Sequence, residues 1–318
     1  MNRIAGGNFF DVAGIMVGMS RTIEKSRKII VVFAILAMSL IACSRNTPSE
    51  DVTPTLDPNA ATPTPSEPTP TPVPAAVIVN GERLPLAWYE SEVQRYTLAQ
   101  EAAGTPVTDA AAAGQIVLDD LIDQFLLAQG AQEAGLSVSD AEVQARIDAL
   151  ASEVDLAAWM AQWGYTDADL FDQLRLQMLA SLQRDQLAAA VPESMEQVEI
   201  RQVFAYTAEG ASNAKLNLDS GGDFEEIAYT YDPTTGGYLG WVPRGYLLIQ
   251  AVEDVAFSQP VGIYSDIIES DIGYHIVMVL DREEHPLSSD ARLVLQHKAV
   301  ADWLTDRRAN SSIENLVN

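Results

Sequence analysis

The sequence predicts an α+β protein in which a helical domain, built from both ends of the chain, carries an inserted domain with a small antiparallel sheet flanked by helices. Three observations lead there. Apolar residues recur at helical spacing through much of 86–190 and again through 289–308. Between these stretches lie apolar runs such as VEIRQVFAY and GYHIVMVL, with the glycine-rich turn of DPTTGGYLGW between them. The tail from Ile313 to Val317 is suited to pair as a strand with Val77 to Val79, which would close the helical domain on itself.

With 318 residues the chain has room for two domains and further segments. Its charge is uneven: residues 1–42 carry net +3, and the remainder has 14 basic against 43 acidic residues, net −29. Nucleic-acid binding needs clustered Lys and Arg to neutralise phosphates, so this balance tells against it. An acidic surface suits basic, unfolded polypeptide partners, and it equally suits faces that only keep the chain soluble.

The chain opens with a leader. Ile29 to Ala42 is an uncharged block, IIVVFAILAMSLIA, preceded by Lys25, Arg27 and Lys28. That is a secretory signal layout, and the block is too short for an ordinary membrane span. It ends in Leu40-Ile41-Ala42-Cys43, which resembles the lipobox of bacterial lipoproteins; the resemblance implies cleavage after residue 42 and a lipid on Cys43. Cys43 is the only cysteine, so the chain holds no internal disulfide. The basic flank places the remainder at the extracytoplasmic face of the membrane. A start at Met19 gives the more compact leader, and the true start is expected there.

Residues 43–76 then comprise the lipidated Cys and a Thr/Pro-rich linker with TPTPSEPTPTPVP at its centre. Such composition buries no core and favours an extended, partly polyproline II chain. At about 3.1 Å per residue it reaches on the order of 90 Å, the length of a stalk.

Folded sequence begins at Val77. A short strand ends at Asn80-Gly81, a turn pair. Helices are expected over about 86–101 and 111–134, the second with Val117, Leu121, Phe125 and Leu126 on one face and Gly135 as its stop. Ser139 with Glu142 forms a capping box for a helix to about Glu153. Asp155 and Thr166 cap a short helix bearing Trp159 and Trp163 and a long one ending near Ala190. Ser288 caps a last helix, 289–308, with Leu293, His297, Val300 and Leu304 on one face. The stretch from VNGERLPLAWYESEV to VLDDLIDQFLLAQGAQEAGLSVSDAEVQARI is similar to the N-terminal chaperone module of SurA/PrsA-like foldases. The helical domain is therefore expected over 77–194, completed by 286–318.

Within 195–285, VEIRQVFAY, GGDFEEIA, DPTTGGYLGW, EDVAF and GYHIVMVL occur in an order and spacing that resembles a parvulin-type (PpiC/rotamase) peptidyl-prolyl isomerase domain. That family rotates X-Pro peptide bonds without cofactor or metal, and with the chaperone module its partners are unfolded, newly exported polypeptides. The resemblance implies roles for particular residues. The family's second histidine falls on His275, its Cys/Asp position on Asp232, and its supporting hydroxyl on Ser270. The first histidine is replaced by Gln202, which exchanges hydrogen bonds but does not titrate. Of the proline-pocket positions, the leucine is kept as Leu239, the methionine falls on Leu248 or Leu247, and the phenylalanine on Val252. Tyr238 stands where an Asp is usual.

Each residue also has a plainer reading. His275 lies in a run apolar on both faces and fits a buried structural histidine bonded to Ser270, Asp232 fits a turn cap, and Leu248, Val252 and Phe257 fit a core stripe. Gln202 and Val252 leave two functions standing, an isomerase with chaperone activity and a chaperone whose isomerase domain no longer catalyses. Other chemistry lacks its motifs. The three histidines, His275, His285 and His297, show no HExxH spacing, and no GxSxG, Walker or dinucleotide glycine motif occurs.

Overall fold

A computed structural model describes residues 73–317; the expected leader, the lipidation expected at Cys43 and nearly all of the expected linker fall outside them. The first described element is a hairpin. Strands β1 (Ala75–Val79) and β2 (Glu82–Pro85) are joined by Asn80 and Gly81, whose φ angles of 52° and 87° are those of a two-residue turn of the right twist. The chain's last strand, β7 (Ile313–Asn315), pairs on the other side of β1, with Val77 opposite Asn315 and Val79 opposite Ile313. The order β2-β1-β7 thus makes β1 central, and Val77 and Val79 are fully buried.

Five helices follow: α1 (Leu86–Ala102), α2 (Ala110–Glu133), α3 (Asp140–Glu153), α4 (Leu156–Trp163) and α5 (Asp167–Ala189). Their limits are set by local chemistry. Asp109, Ser139, Asp155 and Thr166 each accept a hydrogen bond from a first-turn amide, and Ser139 and Thr166 form full capping boxes with Glu142 and Asp169. Gly164, at φ 69°, closes α4. Helix α2 is the spine, with Val117, Leu118, Leu121, Ile122, Phe125 and Leu126 all buried.

Helix α9 (Ser289–Ala309) returns the chain to this bundle late in the sequence. It rests on α2 where Gly130 leaves room: a β-carbon there would lie 2.7 Å from the Trp303 indole. Arg308 adds a donor to the Asp119 backbone carbonyl at 2.7 Å and an ion pair with Asp123. Only half of the expected face turns inward, Val300 and Leu304 being half-buried. Leu293 is 53% exposed and His297 is exposed, while Ala291 and Trp303 turn inward. The indole's fit over Gly130 favours this rotation.

Between α5 and α9 the chain forms β3 (Ser194–Ala205), α6 (Ala208–Asp219), α7 (Phe224–Tyr231), β4 (Tyr238–Pro243), α8 (Gln250–Ser258), β5 (Ile268–Ser270) and β6 (Gly273–Pro286). The strands make one antiparallel sheet, order β4-β3-β6-β5. Its faces follow from strand alternation. Val198, Ile200, Val277 and Val279 point to the α8 side and bury Val252, Ala256 and Phe257. Val203 and Ile276 point to the other and pack with Ala214, Leu218, Phe224 and Ala228 of α6 and α7. The architecture is α+β, a helical part with a small antiparallel sheet flanked by helices.

The Gly130 contact yields a test of α9 docking. Alanine is worth up to about 1 kcal/mol over glycine in a helix interior, but a β-carbon against a rigid indole costs roughly 1–3 kcal/mol. Gly130→Ala should therefore lower the urea midpoint of unfolding. A raised midpoint would show that α9 does not hold this position.

Candidate functional site

Gln202, Phe204 and His275 share the α8 face of the sheet, since Phe204 lies opposite His275 in the β3–β6 register and Gln202 is two residues back. His275 is 3% exposed and both ring nitrogens are used. Nδ1 lies 2.9 Å from Gln202 Oε1, and Nε2 lies 2.9 Å from Ser270 Oγ at the end of β5. With the Gln202 amide oxygen toward the ring, Nδ1 carries the proton and Nε2 is left to accept from the Ser270 hydroxyl. That hydroxyl has a second acceptor, Gly273 O, at 2.9 Å. Phe204 packs beside the imidazole, with ring centroids 4.9 Å apart. Burial lowers the His275 pKa from its ordinary value, and the ring is neutral at pH 7.

Asp232 closes the other side. It ends α7 and accepts from the Thr234 amide at 3.0 Å, the Thr235 amide at 3.3 Å, the Thr235 hydroxyl and the Gly237 amide at 3.2 Å. These donors, the Thr235 hydroxyl foremost, hold its carboxyl down at about 2, so it is anionic at any physiological pH. Its connection to the histidine runs through backbone. Gln202 N–H donates to Gly237 O at 2.8 Å, and a β-carbon on Gly237 would lie 1.8 Å from Gln202 O. With φ at 65°, Gly237 has both a conformation and a clearance that only glycine meets. One bonded path therefore runs Asp232, Gly237, Gln202, His275, Ser270, across four segments of chain.

The apolar positions separate. Leu248 is fully exposed, whereas Leu247 packs partly buried against the core, which identifies the outward residue of the pair. Leu239 is exposed beside a bulge between β3 and β4. Val252, expected among the substrate contacts, is 3% exposed within the core under α8. A valine is too short to reach past that core, so it underlies the surface and does not form it.

An outer layer surrounds the polar path. Arg201 pairs with Glu225 at 2.8 Å and lies 5.8 Å from the ring centroids of Tyr229 and Tyr238. The Tyr238 hydroxyl bonds Glu199, which occupies it with a structural contact. Among the described residues no group of His, Cys, Asp and Glu is arranged to hold a metal ion. Phe204 and Gly237 are neighbours of the site that residue-by-residue reading did not single out, although alternation from Gln202 points to the first.

The turn gives a pH prediction. A carboxylate depressed from an ordinary value near 4 to about 2 stabilises the fold above its unfolded pKa, and that contribution is lost as pH falls through about 2. The amide resonances of Thr234, Thr235 and Gly237 should thus stay constant from pH 7 to about 3.5 and move only below it. Titration near pH 4 would mean that these donors do not hold the carboxylate.

Two family models match the chain. A family model described as SurA-like N-terminal domain matches residues 69–179, and one described as PPIC-type PPIASE domain matches residues 196–283. The chain is 33% identical over 112 residues to foldase protein PrsA of Geobacillus sp. (strain WCH70), covering 34% of this chain and 40% of that protein. It is 25% identical over 217 residues to PrsA of Geobacillus kaustophilus, covering 64% of this chain and 75% of that one. To chaperone SurA of Burkholderia orbicola it is 25% identical over 171 residues, 45% of this chain and 36% of that. The chain thus spans less than half of two of these three relatives. A crystal structure of PrsA from Bacillus anthracis aligns at 20% identity and a TM-score of 0.42, covering 61% of this chain and 97% of that one. The chain carries a SurA-like N-terminal domain and, after it, a PPIC-type PPIase domain.

Proposed function

We propose that the protein is a membrane-anchored extracytoplasmic foldase, a peptidyl-prolyl isomerase that rotates X-Pro bonds in exported polypeptides and holds them through its helical part. The observation that carries this reading is the polar path through Asp232, Gln202, His275 and Ser270, together with the exposure of the apolar residues Leu239 and Leu248. We take 195–285 as the isomerase domain and 77–194 with 286–318 as the chaperone domain. The anchor would be a lipid on Cys43, with 1–42 removed as the signal. Among the described residues no helix is long and apolar enough to cross a membrane.

Amide rotation demands little chemistry. The barrier, roughly 18–20 kcal/mol, is the loss of resonance that places negative charge on oxygen and positive charge on nitrogen. A site accelerates rotation by favouring the twisted, less charge-separated amide over the planar one. In this reading Leu239 and Leu248 grip the proline ring, and the Asp232 carboxylate faces the preceding carbonyl. A fixed anion beside that oxygen opposes its partial negative charge and so weakens the planar form. His275 and Gln202 exchange no proton with substrate; they position the Gly237 peptide and, through it, Asp232. Replacement of a histidine by Gln202 is compatible with that role, which requires hydrogen bonds and not titration.

The test is an isomerisation assay on a soluble form starting at Ala75 with a short X-Pro peptide. Asp232→Asn should lower kcat/KM by about tenfold or more, and His275→Ala by a similar amount, each tenfold step being about 1.4 kcal/mol. Wild-type protein that leaves the uncatalysed rate unchanged, while still suppressing aggregation of an unfolded client, would establish the other function, a chaperone without catalysis.

A further inference from the structure

We propose that Glu253 is a positioning residue of the isomerase site, and that α9 is part of the same brace: together they fix the turn that presents Leu248. The inference rests on the reading of Leu248 as a proline contact. Glu253 lies in the first turn of α8 and is only 4% exposed, where a carboxylate is costly unless its oxygens are bonded. The α8 N-cap, Ile249, receives no side-chain bond. Instead Glu253 Oε2 reaches back across the preceding turn and accepts from the Gly245 amide at 2.8 Å and the Leu247 amide at 3.2 Å.

Further contacts hold the rest of the turn. The Arg244 guanidinium lies 4.1 Å from the Phe257 ring centroid, and Tyr246, Leu247 and Ile249 pack on the core under α8. Leu248 alone among 246–249 is fully exposed. Leu248 thus projects from a braced turn, and on the proposed function it is the contact that this turn presents.

The outer brace comes from the helical part of the chain. Gly245, at φ 85°, lies so near α9 that a β-carbon would sit 3.1 Å from Leu295 Cδ2 and 3.1 Å from Lys298 Cδ. One residue on, Gln296 Nε2 donates to Ala188 O at 3.3 Å, at the end of α5. Helix α9 therefore touches both the bundle and the turn, and displacement of α9 moves Leu248. Neither Leu295 nor Lys298 lies within 196–283, the span of the PPIase family match.

The experiment compares full-length wild type with Glu253→Ala, Glu253→Gln and Leu295→Ala, measuring affinity for a fluorescent X-Pro peptide by anisotropy and kcat and KM for its isomerisation. Glu253→Ala should weaken binding and raise KM about tenfold with kcat little changed, the loss expected for hydrogen bonds to a charged group. Glu253→Gln keeps an accepting oxygen and should recover most of that loss. Leu295→Ala should raise KM about threefold, as for partial loss of one apolar contact. Wild-type affinity in a folded Glu253→Ala, or loss of kcat and affinity together without recovery in Glu253→Gln, would overturn the proposal. Should Glu253→Ala not fold, unchanged affinity in Leu295→Ala would overturn it. A wild type that binds the peptide without accelerating isomerisation overturns the isomerase reading alone, and affinity then decides the positioning role; one that binds no X-Pro peptide overturns both.

Discussion

The pairing of β3 with β6 is the interaction on which the rest of this structure depends. It runs the full length of β3, from Ser194 opposite Pro286 to Ala205 opposite Tyr274. At one end the ladder brings the exit of the helical part beside its re-entry, where Leu287 N–H donates to Glu193 O at 2.8 Å. At the other end it sets Gln202 and His275 within hydrogen-bond distance. A slip of one residue would turn one strand's side chains to the opposite face, parting Gln202 from His275 and sending Val203 or Ile276 out of its core. The register is therefore fixed by burial on two faces, and the site inherits its accuracy from that.

Much of this was legible in the sequence because it is local. Ser139, Asp155, Thr166 and Ser288 announce helix starts through chemistry contained in four residues, and Asn80-Gly81 announces its hairpin in two. What was not legible depends on partners distant in the chain. The face of α9 is favoured by Gly130, more than 150 residues earlier, so its own periodicity was an incomplete guide. Val252 and Leu248 stand four residues apart near one helix start, yet one enters the core and the other faces water because α8 begins only at Gln250. The link from Asp232 to Gln202 passes through the backbone N–H and C=O of Gly237 and leaves no signature except the glycine itself.

The polar path also explains how a titratable ring sits buried without a charged partner. Protonating His275 would break none of its bonds: Nδ1–H still meets Gln202 Oε1, and Nε2–H would meet Ser270 Oγ, whose proton turns to Gly273 O. What disfavours the imidazolium is desolvation. A base with a depressed pKa contributes stability fully above its unfolded value near 6.5, and that contribution is lost as pH falls through its folded pKa. Asp232 is depressed by bonds to its charged form, so the two groups keep the same states, neutral and anionic, from neutral pH upward. On the proposed function, the site would then act as a fixed field and not as a proton relay.

Nitrogen NMR of His275 tests this arrangement most directly. Labelled imidazole nitrogens should report the Nδ1–H tautomer with Nε2 bare at pH 7, a pKa below the ordinary value, and loss of the tautomer preference in Gln202→Ala. An Nε2–H tautomer, or a ring that titrates at its ordinary value in wild type and variant alike, would contradict the account.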